Sequence, residues 1–161
     1  MNKISINIEY NSYTKHNYFV LKVDDILLED ILFNESNKKG LVPTLLSWLE
    51  EGEQRHVVWS RILPNNSKKS ICPILMCGEC IDFFCDLIVV EILSDENYVY
   101  WNRFGFEEGL LDEVEKVGEN VKWFKSNNLF KFDKIEYAKT IKTFLNNLNS
   151  ETPYQRDSIL K

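Results

Sequence analysis

The 161-residue sequence predicts an α+β fold, a single domain with a mainly antiparallel sheet flanked by helices, one of them C-terminal. Three observations carry this expectation. ICPILMC, IDFFCDLIVVEIL and YVYWNRFGF, dense in β-branched and aromatic residues, follow one another between turn-forming stretches, which is the pattern of a meander over residues 71–104. Near the end, Ile135, Ala138, Ile141, Phe144, Leu145 and Leu148 recur at three- and four-residue steps, the spacing of one helical face. With 44% apolar residues, the chain is long enough to bury a core without staples.

Taken in order, Ile4, Ile6, Ile8 and Tyr10 alternate with polar residues and predict a half-buried strand. NSYTKHN reads as a turn, YFVLKV (18–23) as a second strand, and helical spacing begins at about Leu28. ESNKKG is a polar loop. LVPTLLSWLE then places Leu41, Leu45, Leu46 and Leu49 on one face and predicts a helix over 41–50, with Pro43 tolerated in its first turn. HVVWSRIL reads as a strand and PNNSKKS as a loop.

The meander strands are expected at 71–76, 83–93 and 98–104. Pro73 lacks a ladder donor, so its strand should be an edge or should break there. EEGLLDEVEKVGEN is acidic and weakly periodic. Asp133 with Glu136 forms an Asp-led capping box that opens the final helix, expected over 133–148. No repeat or linker divides the chain, so residues 1–161 are expected to form one domain, with 150–161 loosely ordered.

The charge is unevenly spread. Residues 1–120 carry 11 Lys and Arg against 21 Asp and Glu, whereas residues 121–161 carry 8 against 4. Between Glu79 and Glu119 there are 12 acidic residues, offset only by Arg103 and Lys116. That sign excludes direct nucleic-acid binding through this segment. No apolar run reaches the length of a membrane span, and MNKISINIEY lacks the apolar core of a secretory signal, so no membrane association and a cytoplasmic location are expected.

Cys72, Cys77, Cys80 and Cys85 crowd into fourteen residues. Such a group can ligate zinc, serve redox chemistry or simply pack. Gly78–Glu79 suits a two-residue type II′ turn, and that register pairs Cys77 with Cys80, Met76 with Ile81, Ile74 with Phe83 and Cys72 with Cys85. Alternating faces would then separate Cys77 and Cys80 from Cys72 and Cys85, so no common metal site is expected and packing is preferred. The redox alternative, using Cys77 and Cys80, lacks the helix that follows a thioredoxin motif.

Other chemistry is sparse. His16 and His56 are the only histidines, in a turn and beside a charged stretch. No Gly-rich phosphate loop is present, and Asp82, Asp86 and Glu91 read as a polar strand edge. No catalytic residues, cofactor or metal are therefore expected. What remains is surface: the acidic residues Glu107, Glu108, Asp112, Glu113, Glu115 and Glu119, with Trp101, Tyr98 and Tyr100 as aromatic anchors or as sheet core.

LVPTLLSWLE, then PILMC with Asp82, Phe83 and Cys85 leading into LIVVEI, then VYWNRFGFE, resemble a group of small bacterial immunity proteins encoded beside contact-dependent inhibition and other polymorphic toxins. The resemblance spans about residues 20–107. The family pattern has Pro and Asp after the Met-Cys pair, where this chain has Gly78, Glu79 and Cys80. It implies a non-enzymatic protein that binds one cognate toxin domain, most often a basic nuclease, and transfers no catalytic residues. An acidic, aromatic-containing surface suits such a partner, because carboxylates can stand where phosphates would. The alternatives are a small cytosolic thiol oxidoreductase and a non-catalytic adaptor.

Overall fold

The computed structural model describes residues 1–12, 15–49, 52–64, 68–109, 112–126 and 129–146. The tail expected to be loosely ordered lies outside them, as do the last residues assigned to the final helix.

The alternating N-terminal segment forms strand β1 (Ile4–Asn11), paired antiparallel with β2 (His16–Val23). Asp24 and Asp25 then adopt left-handed backbone, φ 52° and 65°, a conformation that short polar side chains tolerate, and turn the chain into β3 (Ile26–Leu27). Helical backbone begins at Leu28 as expected, in two short pieces, α1 (Leu28–Ile31) and α2 (Phe33–Ser36), the second of which takes in Glu35 and Ser36 from the segment read as a loop. Ile8 and Tyr10 are exposed, so the far end of the first hairpin projects beyond the core that buries Ile4.

The main sheet has six strands. β4 (Leu41–Pro43), β5 (Ser70–Cys77), β6 (Leu87–Ser94), β7 (Tyr98–Glu107) and β8 (Val121–Trp123) lie in that order, all antiparallel, and β9 (Phe130–Asp133) also pairs with β7. One edge of β7 is thus shared: β9 covers Tyr98–Trp101 and β8 covers Gly105–Glu107. Helix α3 (Gly52–Ile62) precedes β5 and α4 (Lys134–Asn146) ends the described chain. The architecture is α+β in a single domain, as the patterns predicted.

Three local expectations are corrected. Residues 41–50 do not form a helix. Leu41–Pro43 pair with Leu75–Cys77, and residues 44–49 run on in turns. Every residue from Leu41 to Leu49 is buried, so the segment is enclosed on all sides, which a one-faced helix would not be. Its carbonyls find partners elsewhere, with the Arg55 guanidinium donating to those of Leu49 and Ser47. HVVWSRIL, read as a strand, lies in α3, where Gln54, Val57, Val58 and Ile62 are buried at helical spacing.

The third correction concerns the hairpin register. β5 pairs with a strand that begins only at Leu87, so Met76 faces Leu87 and Cys72 faces Val90. Residues 78–86 form a loop instead of a two-residue turn. Pairing from Ile81 onward would draw Asp82 and Asp86 into the ladder, whereas the adopted register buries Leu87, Ile88, Val89, Val90 and Ile92, about 1.5–3 kcal/mol of apolar transfer for each large side chain. Pro73 behaves as expected: the ladder slips between Pro73 and Leu75, and β4 reaches no further than Leu75. Thr44 Oγ1 donates to the Pro73 carbonyl at 2.7 Å.

A second irregularity decides which face the aromatics occupy. Glu91 pairs with Arg103 but Ile92 pairs with Trp101, so Asn102 is a bulge. The extra residue brings Trp101 onto the same face as Phe104, where Trp101 meets Phe104, Phe132 and Tyr137 edge to face at 5.1–6.0 Å. Tyr137 on α4 donates to the Ile62 carbonyl of α3 at 2.7 Å, tying both helices over this face. Burial pushes the Tyr137 phenol well above its usual range.

Candidate functional site

The expected interface residues do not form one surface. Trp101 is wholly buried, its indole N–H donating to the Tyr137 hydroxyl, so it is a core residue and not a surface anchor. Tyr98 and Tyr100 point away from that core, at the start of β7. The Lys131 ammonium sits 4.0 Å over the Tyr98 ring, and the Tyr100 hydroxyl donates to Asp95 Oδ2 at 2.7 Å. Asp95 is held below the usual carboxylate range, first by that phenol and then by the Asn97 and Tyr98 amides. The acidic residues begin at the other end of the same strand, about 30 Å away at 3.4 Å per residue. The structure therefore separates the two tyrosines from the acidic group.

At that far end the chain beyond β7 is fastened from several sides. Val114 and Val117 are buried, flanking a 3-10 turn at Val114–Lys116. Arg61 of α3 donates to the carbonyls of Ile71, Val117 and Glu115 at 3.0, 2.6 and 2.7 Å. Gly118 has φ +99°, and a Cβ there would lie 3.0 Å from Ile71, so only glycine closes the loop against β5. Glu107 is half-buried and spends both carboxylate oxygens on the amides of Gly109 and Gly118. It is a loop fastener, and its charge is not offered outward.

The remaining five carboxylates, Glu108, Asp112, Glu113, Glu115 and Glu119, are all exposed on this pinned segment. Lys116 is shared between Asp112 and Glu113 at 3.7 Å each. Of the wider acidic run, Glu91 does not contribute: it is buried and held by Arg103 at 3.0 Å and Lys69 at 3.5 Å. The Arg103 guanidinium also stacks 3.8 Å over Trp123. The outward negative charge is thus narrower than the sequence suggested, but part of it stands on backbone pinned at Glu115, Val117 and Gly118.

The cysteine loop lies beside it. Cys85 and Asp86 line a cleft of about 280 Å³ together with Phe106, Glu108, Lys38 and Lys122. Two buried side chains, Ile81 and Phe83, root the loop, while Phe84 is exposed. The Ile81 amide closes on the Cys77 carbonyl at 2.9 Å, and Asp82 Oδ1 takes the Phe84 amide. Ile81 itself has φ +54°, a conformation that costs a β-branched residue about 1–3 kcal/mol. The result draws the sulfur atoms of Cys77, Cys80 and Cys85 within 4.8 Å of one another. This overturns the geometry that excluded a common site, which rested on the two-residue turn. Burial pushes the Cys77 thiol up, but the amides of Cys80 and Glu79, together with the Cys80 and Cys85 thiols, outweigh it and hold the thiol below its usual value. Cys80 is pushed up to about 12, chiefly by its bond with Cys85 and then by burial.

Cys72 stands apart, fully buried among core residues with its thiol pushed far up by desolvation, as the packing reading expected for it. No disulfide joins any of the four cysteines. Sequence reasoning missed the role of Cys85, and the signal was present: Asp82 and Asp86 fit a loop better than a strand. It also missed Arg61, whose three carbonyl partners are set by tertiary structure alone. No helix among the described residues is long and apolar enough to cross a membrane. No known family, curated protein or solved structure matches this chain.

Proposed function

We propose that this protein is a non-catalytic immunity protein that neutralises a cognate bacterial toxin domain, a basic nuclease, by binding it in the cytoplasm. One observation carries the reading: five exposed carboxylates on a segment pinned by Arg61, Glu107, Val114 and Val117. A nuclease needs a cationic cleft to hold phosphate, and a preorganised acidic surface loses little ordering entropy on entering one. The resemblance of LVPTLLSWLE, PILMC and VYWNRFGFE to toxin-neutralising proteins supports the same class.

The test is binding kinetics against the toxin domain encoded beside the gene, with growth protection as the cellular readout. Charge reversal of Glu108, Asp112, Glu113 and Glu115 to lysine should slow association at least tenfold at low salt and flatten its salt dependence. Glu107 is left in place because it holds the loop. Association at the native rate across salt concentrations would refute the acidic docking face. A thiol oxidoreductase using Cys77 and Cys80 is favoured only by the proximity of their sulfurs. It predicts loss of activity in Cys77→Ser, whereas the inhibitor reading predicts full protection by that variant.

A further inference from the structure

The loop between β5 and β6 joins three soft ligand atoms in a way that neither core packing nor a disulfide explains. Cys80 and Cys85 are exposed and Cys77 is half-buried, so burying thiols as small hydrophobes accounts for none of the three. A disulfide would use two sulfurs and leave the third. We propose that Cys77, Cys80 and Cys85 form a site for one zinc ion, with three thiolates as protein ligands and solvent at the fourth position.

The distances suit it. With Zn–S bonds of about 2.3 Å, tetrahedral geometry puts the sulfurs about 3.8 Å apart. The three already lie within 4.8 Å, so side-chain rotations closing about 1 Å would complete the triangle. The Cys77–Cys80 pair is a Cys-x-x-Cys knuckle closed by the Ile81 amide on the Cys77 carbonyl, and the amides of Glu79 and Cys80 are directed at the Cys77 sulfur. Glu79 and Asp82 in the same loop add negative charge that favours a cation, whereas Asp86 is paired with Lys38 at 3.4 Å. Binding releases the thiol protons to solvent as each sulfur becomes a thiolate, so nothing is oxidised or reduced. The strained backbone at Ile81 is compatible with a loop whose shape serves the sulfurs.

The site is independent of the toxin reading, and its test uses no partner. Protein purified under reducing conditions without chelator should carry one zinc per chain by elemental analysis. Cobalt titrated into the metal-free protein should give sulfur-to-cobalt charge-transfer absorption and the intense visible bands of a tetrahedral ion. Loss of even an outer partner of a ligand costs about 10–100-fold in metal affinity, so Cys77→Ser, Cys80→Ser and Cys85→Ser should each weaken binding by at least that, while Cys72→Ala leaves it unchanged. Thermal melts of the metal-free variants control for folding. The proposal is overturned if reduced wild-type protein gives no thiolate–cobalt absorption, if it takes up only copper(I), or if the triple serine variant retains the metal.

Discussion

The two ends of β7 contrast. At its start, Tyr98–Trp101 pair with β9, Trp101 is locked among Phe104, Phe132 and Tyr137, and lysines 134, 139 and 142 of α4 border a broad open cleft of about 910 Å³. At its finish, Gly105–Glu107 pair with β8, and carboxylates and thiols gather on loops rooted by single buried side chains and fastened by hydrogen bonds. Gly105 belongs to this second arrangement, since a Cβ there would come within 2.5 Å of the Lys122 carbonyl. One end stabilises by burial. The other holds polar groups in position on loops, which is where binding surfaces are usually found.

The largest effect expected from breaking this contrast is at the aromatic end. Trp101→Ala should cost about 3–5 kcal/mol, because it opens a cavity at the meeting of β7, β9 and α4 and removes the donor to Tyr137. Chemical denaturation would read this, and an unchanged midpoint would contradict the core assignment. At the acidic end, Arg61→Ala removes three hydrogen bonds to carbonyls and should cost about 1–3 kcal/mol. Its signature is local: amide exchange should speed at residues 114–118 before it speeds in β6. If both regions exchange together, the acidic loop is not a separable unit.

Asp133→Ala is the next step down. Asp133 Oδ2 accepts the Glu136 amide at 3.0 Å at the start of α4, and losing such a cap costs about 1 kcal/mol. The Asp133 carboxylate is therefore a helix cap, as the sequence predicted. The smallest effect is a pH dependence. The folded-state value of Asp95 is depressed, so its contribution is present above the unfolded carboxylate range and is lost as pH falls through the lower folded value. Asp95→Asn should flatten the acid limb of a stability profile. An unchanged limb would place the acid sensitivity elsewhere.

The fold class, the first hairpin, the final helix with its cap and the break at Pro73 were legible because each is written in local pattern: alternation, three-to-four spacing, a capping residue, a missing donor. The candidate acidic residues were legible as charge, but not their division of labour. Whether Glu107 faces solvent or fastens Gly109 and Gly118, and whether Glu91 is displayed or buried against Arg103, depends on partners 11 and 12 residues away or more loosely on the loop around them. Trp101 was misplaced for a related reason. A single bulged residue, Asn102, exchanges the faces of everything on one side of it, and no local signal announces it.

Residues 41–49 and the cysteine loop show the limit most clearly. The leucines at 41, 45, 46 and 49 do satisfy helical spacing, yet pairing with β5 and enclosure on every side outweigh that preference, since propensity is worth tenths of a kcal/mol per residue and burial of a large side chain about 1.5–3. In the same way the hairpin turn at Gly78–Glu79 was locally sound, but starting β6 at Leu87 buries an unbroken apolar run and leaves Asp82 and Asp86 outside the ladder. The sequence by itself determined which side chains could be apolar core, which carry charge and how many thiols lie close along the chain. Only the tertiary structure decided that three of those thiols face one another, because convergence depends on strand register, and register is chosen by the total apolar surface buried across the sheet.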